Sequence, residues 1–240
     1  MRTKQTLILF FTLVFSFISV ACVGVGETEV ETRTIELGDA ESALVELDIG
    51  AGELDVHGGA RELAEATFTY NVNEWKPRIN YDAAGTQGVL KIRQGKAEGI
   101  PMGDTKNRWD ISLNETVPID LKIDMGAGQG ILDLRDVRIS ALDIDGGVGE
   151  LRLDLSGERD QDLDVDINCG VGSATIYVPE EVGVRVHVDG GIGSVDANGL
   201  YKKNDVYLND AYNESDVTIT IQIDAGIGSV ELKTRKASFV

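Results

Sequence analysis

Residues 166–174 read DINCGVGSA and combine residue types that could do chemistry. The glycines could cradle a phosphate, the acidic and amide side chains upstream could bind a metal ion, and Cys169 could act as a nucleophile. The pattern Asx-x-Gly-x-Gly occurs six times in the 240 residues. Its members are Asp48, Gly50, Gly52, Asp124, Gly126, Gly128, Asp145, Gly147, Gly149, Asn168, Gly170, Gly172, Asp189, Gly191, Gly193, Asp224, Gly226 and Gly228. Six copies indicate a repeated structural turn, not one active site.

Neither phosphate nor calcium-roll chemistry matches these glycine-rich segments. A phosphate loop opens a helix, whereas an alternating strand pattern follows GAGQG at 126–130, so no nucleotide is expected. Calcium β-rolls place Asp sixth in G-G-x-G-x-D, where this chain has Leu151 and Val195. The favoured interpretation is an Asx-turn, in which each side chain accepts the N–H two residues later. A cation between stacked carboxylates is the alternative, and no cofactor is predicted.

No residue set predicts catalysis. The chain has two histidines, His57 and His187, and neither has a His or Cys at ligand spacing. Cys169 shares the apolar phase of its strand with Ile167 and Val171, so it is predicted to be a buried and unreactive thiol.

Alternating strands must position these turns. Before the second turn, Ile119, Leu121 and Ile123 share one face, and after each turn the apolar phase shifts by one residue. Copies 21–23 residues apart cannot bury such a face alone, but stacked copies can. The pattern predicts an all-β, single-stranded, right-handed β-solenoid of about six strand–DxGxG–strand repeats, with like positions aligned. A two-sheet sandwich is the alternative.

Two insertions interrupt the repeat, at 60–117 and 198–216. The first contains Trp75 and Trp109 and predicts strands near 64–73, 78–82, 88–94 and 108–114. The second contains three of the six tyrosines. Their aromatic residues are expected to cap the ends of the solenoid, and binding loops are the alternative.

The N-terminus has the pattern of a targeting segment. Residues 1–21 combine a basic start, an apolar run and small residues before Cys22, as in a signal peptide. The sequence SVAC at 19–22 resembles the lipobox of bacterial lipoproteins, which implies lipid attachment at Cys22. We expect an acidic spacer at 22–34 and a β-solenoid domain at 35–236, outside the cytoplasmic membrane. Secretion or a single uncleaved N-terminal membrane anchor are the alternatives.

The formal net charge of −19 argues against nucleic acid as a partner. It also disfavours direct adsorption of the folded domain onto an anionic membrane, so the expected membrane contact is the lipid anchor.

The order of several motifs resembles the bacterial toast-rack domains. These motifs are Tyr70-Asn71 with Trp75-Lys76-Pro77, Asn107-Arg108-Trp109, MGAGQGILDL at 125–134, and Asn209-Asp210-Ala211-Tyr212 before IDAGIGSVEL. The family is related to the C-terminal domain of LiaF-like cell-wall stress regulators and to candidate β-solenoid adhesins. The resemblance implies a toast-rack β-solenoid in the cell envelope and supplies no catalytic residues.

The sequence therefore predicts a non-catalytic envelope lipoprotein that binds or scaffolds an envelope protein or glycan, with a role in cell-wall stress response or adhesion. A calcium-binding adhesin is one alternative. A polysaccharide-active β-helix enzyme is another, because right-handed β-helices host lyases and hydrolases; it would need a long groove with clustered charged groups.

Overall fold

The computed structural model describes residues 22–83, 85–97 and 99–236, which form fifteen strands and one 3-10 turn. The predicted signal peptide at 1–21 lies outside the described residues. The strands are β1 (Cys22–Gly24), β2 (Glu29–Ile35), β3 (Ser42–Ala60), β4 (Ala64–Tyr70), β5 (Arg78–Asp82), β6 (Gln87–Arg93), β7 (Ile100–Met102), β8 (Asn107–Asn114), β9 (Ile119–Asp133), β10 (Ile139–Asp154), β11 (Leu163–Pro179), β12 (Gly183–Asn198), β13 (Tyr201–Lys203), β14 (Val206–Leu208) and β15 (Thr218–Arg235), and the turn is Asn73–Trp75.

Six long parallel strands carry the repeated motif and form the centre of the sheet. Their order in space is β3, β9, β10, β11, β15 and β12. Pairing keeps like positions opposite one another, as in Asp145 with Asn168 and Asn168 with Asp224. The prediction of an all-β solenoid with aligned copies is thus confirmed.

The spatial order departs from the chain order at one place. Strand β15 follows β12 in the sequence, but it lies between β11 and β12 and pairs in parallel with both. The second insertion makes this possible: β13 and β14 form a hairpin, and β14 runs antiparallel along the far side of β12. Strand β15, the last copy of the motif, therefore lies inside β12 and not at the edge of the parallel strands.

The core follows the alternation of the sequence. On β9, residues 119, 121, 123 and 125 are buried before the bend, and residues 130 and 132 are buried after it, followed by Leu134 just beyond the strand. This is the predicted one-residue shift of phase. The prediction was wrong for Val171, which is exposed because the inward phase of β11 already ends at Cys169.

The first insertion closes one end of the sheet. The strands predicted within it are present as β4, β5, β6 and β8. Trp109 on β8 is fully buried and packs edge-on against Phe68 of β4, with 5.3 Å between ring centroids. Residues 29–35 pair with β4 as strand β2, so this part of the expected spacer at 22–34 belongs to the sheet.

The bend of each long strand passes very close to its neighbour. A Cβ atom on Gly149 would overlap the carbonyl oxygen of Gly128 on β9, and one on Gly172 would overlap that of Gly149. Gly149 also has φ +156°, a conformation that other residues rarely adopt. The first glycine of each motif is equally close to its neighbour, since a Cβ atom on Gly147 would overlap the carbonyl oxygen of Gly126. Two columns of glycine therefore let neighbouring backbones stay at hydrogen-bonding distance through the bend.

Replacing Gly149 with alanine should destabilise the protein strongly. The added methyl group meets backbone atoms that cannot swing aside, and the positive φ adds strain, so we expect a loss of about 3 kcal/mol or more. Thermal melting should show a fall of roughly 6–12 °C.

Gly146→Ala on the same strand is the matched control. A Cβ there would lie 3.7 Å from the carbonyl oxygen of Asn168 and 3.8 Å from Sγ of Cys169, which is ordinary contact. Its melting temperature should stay within about 2 °C of the wild type, since Gly-to-Ala changes at compatible sites are neutral or slightly stabilising. Equal losses in both variants would contradict the close-approach explanation.

Candidate functional site

The predicted Asx residues form one row along the bend, which we call the carboxylate ladder. In spatial order it runs Asp48, Asp124, Asp145, Asn168, Asp224, Asp189. An open pocket of about 410 Å³ lies against its middle part, lined by Asp124, Asp145, Asn168, Asp224 and Cys169, among others. The glycines predicted with them form the two columns described above.

The hydrogen bonds of the ladder differ from the predicted Asx-turn. The amide of Gly50 donates to Oε1 of Gln94 at 2.9 Å, and not to Asp48. Asn168 donates across to Oδ1 of Asp145 at 2.9 Å. The reason is that each bend continues the parallel pairing between strands, so the side chains face their neighbours in the row and not their own backbone.

The ladder concentrates negative charge. Burial raises the pKa of Asp124 above its usual range, and the neighbouring carboxylates of Asp48 and Asp145 raise it further. Asn168 interrupts the row of carboxylates. In the part of the chain that the structure describes, no group of three or more His, Cys, Asp and Glu side chains is arranged to hold a metal ion.

A second row runs beside the ladder, formed by the residue between the two glycines of each bend. We call Val148, Val171 and Ile227 the apolar row. They lie in register on β10, β11 and β15, and they are 57%, 46% and 54% exposed. Sequence reasoning missed this row, because the alternation of the strand assigns its residues to the core. The signal that could have revealed it is the apolar residue between the two glycines of each motif.

Cys169 occupies a slot between Gly146 and Ala225 on the adjacent strands. It is half-buried and packs against the core, and burial raises the pKa of its thiol. Cys169 is thus less buried than predicted, although it packs inward as expected, and the raised pKa disfavours the reactive thiolate.

The two histidines have partners of other kinds. Nε2 of His57 lies 3.2 Å from Oδ1 of Asp110, and its Nδ1 lies 2.7 Å from the carbonyl oxygen of Gly58. Nδ1 of His187 lies 3.0 Å from the carbonyl oxygen of Asp205. Neither histidine meets a Ser, Thr or Cys side chain in these contacts.

A further pocket, of about 460 Å³, lies beside Trp75 at the end of the sheet closed by the first insertion. It was missed at the level of sequence because its walls come from three separate segments, near residues 51–53, 69–75 and 104–108.

The bent parallel strands, the glycine columns and the insertion that closes one end define a toast-rack β protein. Two family profiles match the chain: the N-terminal domain of toast_rack, DUF2154, over residues 24–177, and the C-terminal domain of LiaF, described as cell wall-active antibiotics response, over residues 127–232. The chain belongs to the toast_rack domain family.

Solved structures include a close relative. A candidate cell adhesion protein from Clostridium sporogenes ATCC 15579 is 31% identical with a TM-score of 0.80, over 87% of this chain and 100% of that one. A candidate adhesin from Bacteroides fragilis NCTC 9343 is 10% identical with a TM-score of 0.35, over 88% and 99% of the two chains. One from Parabacteroides distasonis ATCC 8503 is 13% identical with a TM-score of 0.30, over 88% and 100%. The curated proteins contain no match.

Within residues 22–83, 85–97 and 99–236, no helix has the length and apolar character needed to cross a membrane.

Replacing Asp124 with asparagine should stabilise the protein at neutral pH. The folded state raises the pKa of this carboxyl, so it binds the proton more readily than the unfolded state, and wild-type stability falls as the pH rises through the carboxyl range. Removing one like charge from a cross-strand row is worth about 0.2–1 kcal/mol. The gain should be present at pH 7 and vanish below about pH 4.

Urea denaturation of both proteins at these two pH values measures the effect. Asp39→Asn, an exposed site outside the ladder, is the control for a simple change of net charge. The explanation fails if Asp39→Asn gives the same gain, or if the gain of Asp124→Asn persists at the lower pH.

Proposed function

We propose that this protein is a non-catalytic lipoprotein of the bacterial cell envelope, whose toast-rack domain binds or scaffolds another envelope protein. The family description as a cell wall-active antibiotics response domain and the cell adhesion relative support an envelope role in stress response or adhesion. A lipid on Cys22 is the proposed anchor.

The observation that carries the proposal is the apolar row. Single exposed apolar residues are ordinary on protein surfaces, whereas a contiguous stripe is typical of a contact site. Val148, Val171 and Ile227 stand on adjacent strands, which lie about 4.8 Å apart in a sheet. Burying them under a partner would release water from a stripe that the fold itself leaves uncovered.

The flanking charge indicates the chemistry of the partner. The carboxylate ladder lies next to the apolar row, and the chain has 41 acidic against 22 basic residues. A partner with apolar side chains framed by Lys or Arg would match both rows. The charges would then steer the encounter, and the apolar contact would supply most of the affinity.

The surroundings of the histidines favour binding over catalysis. His57 and His187 contact Asp110 and main-chain carbonyl groups, so in the described contacts neither histidine is placed to activate a nucleophile.

A photo-cross-linker tests the apolar row in cells. With p-benzoylphenylalanine at position 171, we expect a discrete cross-linked band that contains a second envelope protein, because Val171 lies at the centre of the row. The same probe at Val30, which is 66% exposed on β2, is the control and should give no such band. The band at position 171 should fade when V148S and I227S are added, since these changes remove the apolar neighbours.

Identical band patterns from positions 171 and 30 would refute the apolar row as a docking site. Thermal melting of the V148S/I227S variant serves as a folding check. Its melting temperature should stay close to that of the wild type, because both side chains are more than half exposed.

Metabolic labelling with radioactive palmitate tests the anchor. The wild type should take up label and Cys22→Ala should not, because only the Cys22 thiol is available at the predicted cleavage point. Cys169→Ala is the matched control and should label like the wild type. Equal labelling of the wild type and Cys22→Ala would disprove the lipid anchor.

A further inference from the structure

We propose that the pocket beside Trp75 is a binding site for a neutral oligosaccharide. This inference goes beyond the proposed function, because it concerns a different surface, at the end of the sheet where β3 meets the first insertion. The pocket has a volume of about 460 Å³, which is within the usual range for small-molecule sites. Its lining includes Glu53, Thr69, Trp75, Asp104, Thr105 and Lys106.

The pocket exists because the repeat is interrupted there. Strand β3 pairs with β9 on one side over residues 43–57. On its other side, β6 pairs with residues 42–48 and β8 pairs with residues 53–60. Two short strands thus replace one continuous strand there, and the gap between them lies opposite the bend of β3. Two side chains bridge this gap. The side-chain oxygen of Gln94 accepts a hydrogen bond from the amide of Gly50, and the side-chain amide of Asn107 donates one to the carbonyl oxygen of Ala51 at 2.6 Å.

Two buried asparagines hold the walls of the pocket in place. Asn107 also donates to Oε1 of Gln94 at 2.9 Å and accepts the indole N–H of Trp109 at 3.1 Å. Asn71 donates to the carbonyl of Asp104 at 2.8 Å and accepts the amide of Lys106 at 2.6 Å. The loop that carries Asp104 and Lys106 is therefore fixed by amide hydrogen bonds before any ligand arrives, which lowers the entropic cost of binding.

Trp75 provides the apolar platform. Its side chain is half-buried at the end of the 3-10 turn, and within the described residues its indole N–H has no hydrogen-bond partner. An indole with an apolar face and a free N–H suits a ligand that is apolar on one side and polar at its edge. A pyranose ring is such a ligand, because its C–H groups form a flat face and its hydroxyl groups surround it.

The polar groups around Trp75 match hydroxyl groups better than an ion. Among the described residues, the Lys106 ammonium and the Asp104 carboxylate form no ion pair, so one strong donor and one strong acceptor remain available. Thr69 and Thr105 add hydroxyl groups. The Arg108 guanidinium is already engaged, because it lies 2.5 Å from Asp55 and 3.6 Å from Glu53. The acidic and basic groups of the lining balance, which favours a neutral ligand over an anionic or a cationic one.

The two tryptophans allow a direct test by NMR. The full chain, labelled with ¹⁵N-tryptophan in a detergent without a sugar headgroup, should give one indole signal for Trp75 and one for Trp109. Maltotetraose, cellotetraose and N-acetylated chitotetraose are the probes, titrated to about 10 mM. At least one should shift the Trp75 signal in a saturable way. The Trp109 signal is the internal control, because that ring is fully buried.

Variants locate the binding. Trp75→Ala should weaken binding of that sugar by at least about tenfold, measured by saturation transfer to the sugar protons. Tyr201→Ala, which removes an exposed aromatic side chain on β13, should leave it unchanged. The V148S/V171S/I227S variant should also bind the sugar normally. This result distinguishes the proposed sugar site from the proposed protein-docking site at the apolar row, since either proposal can fail without the other.

Two outcomes would overturn the proposal. One is a Trp75 signal that no sugar of the panel shifts. The other is a Trp75 signal that tetralysine or tetraglutamate shifts and the sugars do not, which would make the pocket a site for a charged peptide.

Discussion

Close contact between neighbouring backbones at the bend is the constraint on which this structure depends. Each second glycine of the motif, such as Gly149, faces the carbonyl oxygen of the strand before it, where no Cβ can fit. The strands must therefore be parallel, in register and without side chains at these positions. That arrangement places the core on the inner phase and leaves both the carboxylate ladder and the apolar row on the outer side of the bend.

At the end of the parallel repeat, other groups take over the backbone contacts that a further copy of the motif would make. At β3, the carbonyl of Asn107 takes the place that a further glycine carbonyl would occupy against Gly52, and the side chain of Gln94 serves the amide of Gly50. These substitutes satisfy the backbone but do not fill the space of a full strand. A preformed pocket is the result, so the side chains that end the repeat also create a concave surface that contains a half-exposed tryptophan.

Much of the fold could be predicted from the sequence because alternation and repetition are local signals. The strands of the first insertion were located to within a few residues, and the Asx positions align as expected. The position of β15 could not be predicted, since β12 and β15 carry the same motif and neither encodes its neighbour. Val171 was wrongly assigned to the core, because the change from one inward-facing set of residues to the other occurs inside the motif, before residue 171. The Trp75 pocket depends on Asn71 and Asn107, whose partners are distant in sequence.

The insertion of β15 between β11 and β12 also bears on how the chain folds. Strand β11 offers one edge, and both β12 and β15 present the matching sequence of Asx, glycine and apolar residues to it. Strand β12 follows β11 directly in the chain and could occupy that edge first, in perfect register, as a misfolded competitor. The hairpin of β13 and β14 attaches to the far side of β12, where it gives this strand a distinct partner. The tyrosine-rich insertion thus directs β12 to the outer position, because β12 is the strand that pairs with β14.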